Sequence, residues 1–143
     1  MLDRIRSNLL RQLFLYWDEK RGHRRAPSRD DIDPAELVGV LPNVYLIDVE
    51  EEPCRYRVRL VGTALVKWYG WDITRRYIDE ITDQVLPALN ELVTTWGPWL
   101  ITGEYAKKPD RVMPYELLAL PLSSDGSTVN MIFGGVAQAV LGE

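Results

Sequence analysis

The chain has 143 residues, 46% of them hydrophobic and 27% charged, which is typical of one globular domain. A domain of this size buries roughly two-thirds of its unfolded surface, so its core needs neither a metal nor disulfides. No run of about 18 apolar residues is present to form a membrane span or a signal peptide. With Cys54 as the only cysteine, the composition favours a reducing compartment, and we expect a cytoplasmic protein.

The net charge of -4 is unevenly distributed along the chain. Residues 1–29 carry eight Lys and Arg against three Asp and Glu, a net charge of +5, whereas residues 30–143 carry -9. An acidic body repels a phosphate backbone, so we do not expect nucleic acid as a partner.

The first predicted element is an amphipathic helix over residues 3–20. Its apolar side chains span about half of the helical circumference, more than the roughly 100 degrees that one core requires. The wide arc predicts contact with a second apolar surface, and a homodimer would supply one. The candidate dimer interface comprises Leu9, Leu10, Leu13, Phe14 and Trp17. Two alternatives are a helix buried in its own domain and a basic helix on a membrane; Leu15, Asp18 and Glu19 disfavour the latter.

A short helix is predicted to begin at Asp33, whose side chain would cap it, with Pro34 at the first helical position. Leu41 and Pro42 end it, because proline disfavours helical angles in the preceding residue. The acidic residues of this stretch are Asp30, Asp31, Asp33 and Glu36. Helix capping explains them, and the spacing lacks the glycine bend of a calcium loop, so we expect no metal.

Alternating and helical patterns follow over the rest of the chain. Strands are predicted over residues 44–49, 54–61, 99–106, 112–122 and 128–138, and helices over 64–69, 75–81 and 84–96. In the second strand, Arg55, Arg57 and Arg59 alternate with apolar residues, so we expect them on an open sheet face, pairing with acids such as Asp48. Cys54 is expected on the apolar face. One antiparallel sheet with helices on one face makes the class α+β.

Four local strings are distinctive. They are PSRDDIDPAEL at residues 27–37, RLVGT at 59–63, GWDIT at 70–74 and PLSSDG at 121–126. Together with the element order, these strings resemble the PAS domain, in particular a family of small stand-alone bacterial PAS proteins. One departure is Arg75, which stands where a glycine often follows the Asp-Ile-Thr string.

The resemblance implies a five-stranded antiparallel sheet with helices on one face, preceded by the N-terminal amphipathic helix. Residues 1–42 would form that helix and a lead-in segment, and residues 43–143 the PAS-like domain, together one structural unit. PAS domains generally act as sensors or docking modules, and their dimers often use a helix before the first strand. The resemblance therefore supports the homodimer and a signalling protein as partner.

Few residues favour catalysis or a cofactor. His23 is the only histidine and lies outside the predicted sheet, so we expect neither haem nor a histidine-based catalytic arrangement. The flavin-adduct cysteine of light-sensing PAS relatives sits in a helix, unlike Cys54. Glu116 and Asp72 are the only acids placed for an isomerase-like role, which needs a carboxylate of raised pKa in an apolar pocket. We expect no cofactor.

The helical third of the chain is rich in aromatic residues. The candidate ligand-binding residues are Val58, Leu60, Trp68, Trp71, Tyr77 and Trp96. Such side chains either line a pocket for a small apolar molecule or fill the core themselves. The sequence therefore favours two functions. The first, which we prefer because no output domain fits in 143 residues, is a non-catalytic sensory or signalling adaptor. The second is a PAS domain that senses an apolar ligand.

Overall fold

A computed structural model describes residues 1–108 and 111–138, and the side chains of these residues except 105–108 and 111. The helices are α1 (Asn8–Arg21), α2 (Thr63–Tyr69), α3 (Ile78–Ile81) and α4 (Leu86–Thr95), with 3₁₀ turns at Leu2–Arg4, Arg29–Asp31, Pro34–Leu37 and Leu41–Asn43. The strands are β1 (Val44–Glu50), β2 (Arg55–Val61), β3 (Trp99–Lys108), β4 (Arg111–Leu122) and β5 (Met131–Gln138).

The strands form one antiparallel sheet in the order β2-β1-β5-β4-β3. Three hairpins connect neighbours in sequence, and the pairing of β1 with β5 joins the two halves of the chain. The α+β class and the five-stranded antiparallel sheet predicted from the sequence are confirmed.

The alternation of side chains divides the sheet into two apolar faces. On β1, Val44 and Leu46 belong to a core shared with α1, whereas Tyr45 and Ile47 belong to a core shared with α2, α3 and α4. These two surfaces are called here the α1 face and the α2–α4 face. Successive strand residues point to opposite sides, so a continuous apolar run such as residues 44–47 of β1 is expected where both faces are covered.

The predicted helix over residues 3–20 is interrupted near its start. The chain is extended at Ile5 and Ser7, and α1 begins at Asn8 with the Ser7 hydroxyl accepting from the Leu10 N–H. The buried carboxylate of Glu116 on β4 accepts from the N–H groups of Arg6 (3.0 Å) and Ser7 (2.8 Å). A side chain from the sheet thus binds the free amides at the start of α1.

The wide apolar arc of α1 contacts two surfaces of its own chain. One is the sheet, where the Trp17 indole N–H donates to the Pro121 carbonyl oxygen at 2.8 Å. The other is the lead-in segment, where the Tyr16 hydroxyl accepts from the Asp33 N–H and donates to Glu36. The structure therefore places Leu10, Leu13 and Trp17 inside the chain's own core, which is a correction to the candidate dimer interface; Leu9 and Phe14 are half-buried.

A one-residue bulge in β2 alters the face on which its last residues lie. Ile47 pairs with Val58 and Leu46 with Leu60, which leaves Arg59 without an opposite residue. Past the bulge the alternation is shifted, so Val61 rather than Leu60 packs on the α2–α4 face. Leu60 is 42% exposed, contrary to its predicted place in a pocket.

Two further predictions for this hairpin have different outcomes. The predicted pairing of Arg59 with Asp48 is confirmed, with the guanidinium 3.2 Å from the carboxylate. The prediction for Cys54 is wrong, because β2 begins at Arg55 and Cys54 is exposed in the preceding turn.

The free edge of β2 is partly covered by the segment before α3. The Arg75 N–H donates to the Val58 carbonyl oxygen, the Val58 N–H donates to the Arg76 carbonyl oxygen, and Arg57 forms a β-bridge with Tyr77. The predicted helix over residues 75–81 therefore starts only at Ile78. Arg75 has a φ of 74°, so the left-handed conformation usual for glycine is retained although the residue is arginine.

Candidate ligand cavity

The α2–α4 face is incompletely filled. An inner cavity of about 70 Å³ lies between the sheet and helices α2, α3 and α4. Its lining comprises Tyr45, Ile47, Val58, Val61, Leu65, Tyr69, Ile73, Ile78, Ile81, Thr82, Val85, Leu89, Leu117 and Val136. Each of these described side chains is uncharged, and all but the two tyrosines and Thr82 are aliphatic.

A larger outer mouth, of about 410 Å³, adjoins the inner cavity. Seven residues line both: Leu65, Tyr69, Ile81, Thr82, Val85, Leu117 and Val136. The mouth adds Trp68, Gln84, Glu104 and Tyr115. The shared residues form a junction between an apolar interior and a more polar opening.

Helical and strand periodicity explain the lining. Leu65 and Tyr69 on α2 are four residues apart and lie on one helix face, as do Val85 and Leu89 at the start of α4. On β4, Leu117 lines the cavity, while its neighbour Leu118 is buried on the α1 face. The cavity is therefore built from the inward face of each surrounding element.

Tyr45 is the most deeply buried polar side chain of the lining. Its hydroxyl donates to the Leu118 carbonyl oxygen at 2.7 Å, and burial raises the pKa of Tyr45, so the phenol stays neutral. A Cβ at Gly134 would lie 2.7 Å from this hydroxyl, so a glycine is needed there for the ring to reach its acceptor.

Two other hydroxyl groups lie at the junction. The Thr82 hydroxyl oxygen accepts from the Gln84 N–H at 3.1 Å, and its own hydrogen is not donated within the described residues. The Tyr69 hydroxyl likewise makes no hydrogen bond to any residue that the structure describes. Unlike Tyr45, both have hydrogen-bonding capacity left for a bound molecule.

Of the six predicted ligand-binding residues, the structure brings two to the cavity. Val58 lines its interior, and Trp68 lines the mouth. Leu60 is turned away by the bulge, and Trp71, 45% exposed, lies in the loop after α2.

Tyr77 and Trp96 lie outside the lining. The Tyr77 hydroxyl donates to Glu50, and the Arg55 guanidinium lies 3.5 Å from its ring centroid. Trp96 fills the core beside α4, with the Arg25 guanidinium 4.3 Å from its ring. These aromatic rings pack against the protein and against arginines instead of a ligand.

Sequence reasoning missed most of the aliphatic lining. The alternation of Tyr45 and Ile47 on β1, and the spacing of Leu65 and Tyr69 on α2, were signals that could have identified part of it. Val61 was not identifiable in this way, because the bulge reverses the alternation on which such a prediction depends.

The acids considered for catalysis are engaged elsewhere. Both oxygens of Glu116 accept backbone N–H groups before α1, on the face opposite the cavity. Asp72 is exposed, and its hydrogen bonds to the Thr74 hydroxyl and N–H lower its pKa, so it lacks the raised pKa of a general acid. His23 is exposed, and within the described residues no three His, Cys, Asp or Glu side chains form a metal-binding group.

The comparisons agree with the architecture. A family model for the PAS domain matches residues 5–137, so the chain belongs to the PAS domain family. The fold is similar to a solved structure described as "Flavin Analogue Sheds Light on Light-Oxygen-Voltage Domain Mechanism", with a TM-score of 0.54 and 9% identity over 75% of this chain and 84% of that one. No curated protein matches. The described residues contain no helix long and apolar enough to cross a bilayer.

The cysteine chemistry of light-sensing relatives does not fit this cavity. Cys54, the only cysteine in the sequence, is exposed in the turn between β1 and β2. No cysteine therefore belongs to the lining, and a thiol adduct with a flavin bound there has no partner.

Proposed function

We propose that this chain is a sensory PAS module that binds a small molecule in the cavity of its α2–α4 face. The observation that carries the proposal is that an outer mouth of about 410 Å³ and an apolar interior of about 70 Å³ share seven lining residues. Small-molecule sites in proteins usually measure about 300–1,000 Å³ and combine apolar walls with a few polar groups. The mouth has that size, and the lining has that composition.

Binding would act as a signal because the lining belongs to several elements. Leu65, Val85 and Leu117 lie on α2, at the start of α4 and on β4, respectively. A molecule that contacts all three would favour one arrangement of the helices over the sheet. A ligand shifts a conformational equilibrium by its difference in affinity for the two states.

The test is a matched pair of tryptophan substitutions. Val85→Trp would fill the junction, because Val85 lines both the interior and the mouth. Val38→Trp adds the same side chain at a position that is 68% exposed and serves as the control. Native mass spectrometry of each purified protein, followed by thermal-shift screening against a metabolite library, reports binding as a mass adduct or a raised melting temperature.

We expect binding in the natural chain and in Val38→Trp, and none in Val85→Trp. Binding that persists in Val85→Trp would place the ligand elsewhere. The absence of both an adduct and a thermal shift in the natural chain would overturn the proposal.

The second candidate is a non-catalytic adaptor that binds a signalling protein. It is supported by Tyr69 and Trp71, which are 51% and 45% exposed on and just after α2 and present aromatic surface to solvent. As part of this second function, we propose that the chain forms a homodimer through α1, using the half-buried Leu9 and Phe14.

Light scattering of the natural chain and of Leu9→Gln tests this homodimer. A dimeric natural chain and a monomeric variant support the interface, whereas an unchanged mass contradicts it.

A further inference from the structure

The lining of the inner cavity restricts the charge of whatever binds there. None of the described residues that line it is charged, and the pKa of Tyr45 is raised by burial, so these residues supply no counter-ion inside. Transfer of an unpaired charged group from water to such surroundings is strongly unfavourable. Among the residues whose side chains the structure describes, the only charged one at the mouth is Glu104, whose negative charge disfavours an anion further.

The volume restricts the size of the buried part. An apolar cavity of about 150 Å³ holds one benzene molecule, which has six carbon atoms. The interior of about 70 Å³ is about half that size, so it accommodates an apolar group of about three carbon atoms.

The unused hydroxyl donors of the lining indicate where the polar group of a ligand would bind. Tyr69 and Thr82 line both interior and mouth and keep hydroxyl hydrogens that no described residue accepts. Deeper in the cavity, the Tyr45 hydroxyl already donates to the Leu118 carbonyl oxygen. The junction is thus the place where an acceptor oxygen on a ligand would find donors.

We propose that the ligand is an uncharged molecule with an apolar part of about three carbons and one hydroxyl or carbonyl group, which hydrogen-bonds to Tyr69 and Thr82 at the junction. This rests on the proposed function, since it specifies the class of molecule for the same cavity. The apolar part occupies the interior, and any larger remainder extends into the mouth.

The experiment uses three test molecules that share a three-carbon chain: 1-propanol, propanoate and propylammonium. Dissociation constants come from methyl chemical shifts of Val58, Leu65 and Val136 in the full chain at pH 7. We expect 1-propanol to bind at least tenfold more tightly than either ion, because only the ions must lose hydration without a partner. Propanoate or propylammonium binding as tightly as 1-propanol would overturn the inference while leaving the proposed function intact.

Variants test the role of the two hydroxyl groups. Tyr69→Phe and Thr82→Val should each weaken 1-propanol binding about three- to tenfold, and leave binding of xenon, which has no polar group, unchanged. Thr82→Ser should restore the affinity, because it keeps the hydroxyl that also accepts from Gln84. Unchanged 1-propanol affinity in both single variants would contradict the hydrogen-bonding part. If neither 1-propanol nor xenon binds the natural chain, the proposed function itself fails for this class of ligand.

Discussion

The two faces of the sheet are both apolar, yet only one is closely filled. On the α1 face, Leu118, Leu120 and Phe133 are at most 1% exposed. On the α2–α4 face, Leu117 and Val136 are only half-buried and line a cavity. The same strands therefore support a packed core on one side and a candidate binding site on the other.

The covering elements explain the difference. The α1 face is covered by one helix of 14 residues, with Ile32, Leu37 and Val40 of the lead-in segment in the same core. The helix approaches so closely that a Cβ at Gly135 would lie 2.6 Å from the Leu13 side chain. The opposite face is covered by helices of 7, 4 and 10 residues with changes of direction between them. Short helices joined by turns fill space less completely than one continuous helix, and the gap remains as a cavity.

The largest expected effect comes from truncating adjacent leucines on β4. Leu118→Ala removes a fully buried side chain from the α1 face and should lower the free energy of unfolding by about 3–5 kcal/mol. Leu117→Ala, beside the existing cavity, should cost only about 1–2 kcal/mol, because it loses less buried area. Urea unfolding measures both. Equal losses would show that the two faces are equally well packed.

A second effect concerns the attachment of α1 to the sheet. Glu116→Ala leaves the N–H groups of Arg6 and Ser7 without their acceptor and should lower the free energy of unfolding by about 2–3 kcal/mol. Amide exchange in the first turn of α1 should also become faster. Glu104→Ala, at an exposed acid on β3, is the control and should change stability little. A Glu116→Ala protein as stable as this control would refute the capping role.

A smaller change in the free energy of unfolding, this time an increase, is expected from a substitution at the edge of the α2–α4 face. Arg75→Gly should raise the free energy of unfolding by up to about 1 kcal/mol, because glycine adopts the φ of 74° without steric cost. The matched control Arg76→Gly should be destabilising, since Arg76 has no positive φ and its ion pair with Glu80 is lost. Destabilisation by Arg75→Gly in thermal unfolding would mean that the arginine side chain contributes more than its backbone costs.

The smallest expected change in stability concerns the loop between β4 and β5, which lies outside both cores. Asp125 accepts from the N–H groups of Ser127 and Thr128, which lowers its pKa from 3.8 to about 2. Because the folded pKa is depressed, the carboxylate stabilises the folded state above about pH 4, and this contribution is lost as the pH falls towards 2.

Asp125→Asn should therefore flatten the decline of the urea midpoint between pH 4 and pH 2. Ser124→Ala, in the same loop, keeps the carboxylate and should retain the natural decline. An identical pH profile for Asp125→Asn and the natural chain would show that these hydrogen bonds do not favour the ionised form.

Much of the fold could be predicted from local patterns. The element order, the strand alternation, the cap at Asp33 and the end of α4 before Gly97 and Pro98 all follow from neighbouring residues. The site could be predicted only in part. Val58 and Trp68 were identified, whereas Leu60 was assigned to the wrong face because a bulge depends on the partner strand.

The sequence by itself determined the class of the protein and the order of its elements, because periodicity and turn residues act over a few neighbouring positions. Only the tertiary structure decided which surface covers α1, on which side Val61 lies and where space remains unfilled. Those outcomes depend on the fit between elements far apart in the chain, such as Leu13 against Gly135 or Glu116 against Ser7. Shape complementarity over such distances leaves no local pattern in the sequence.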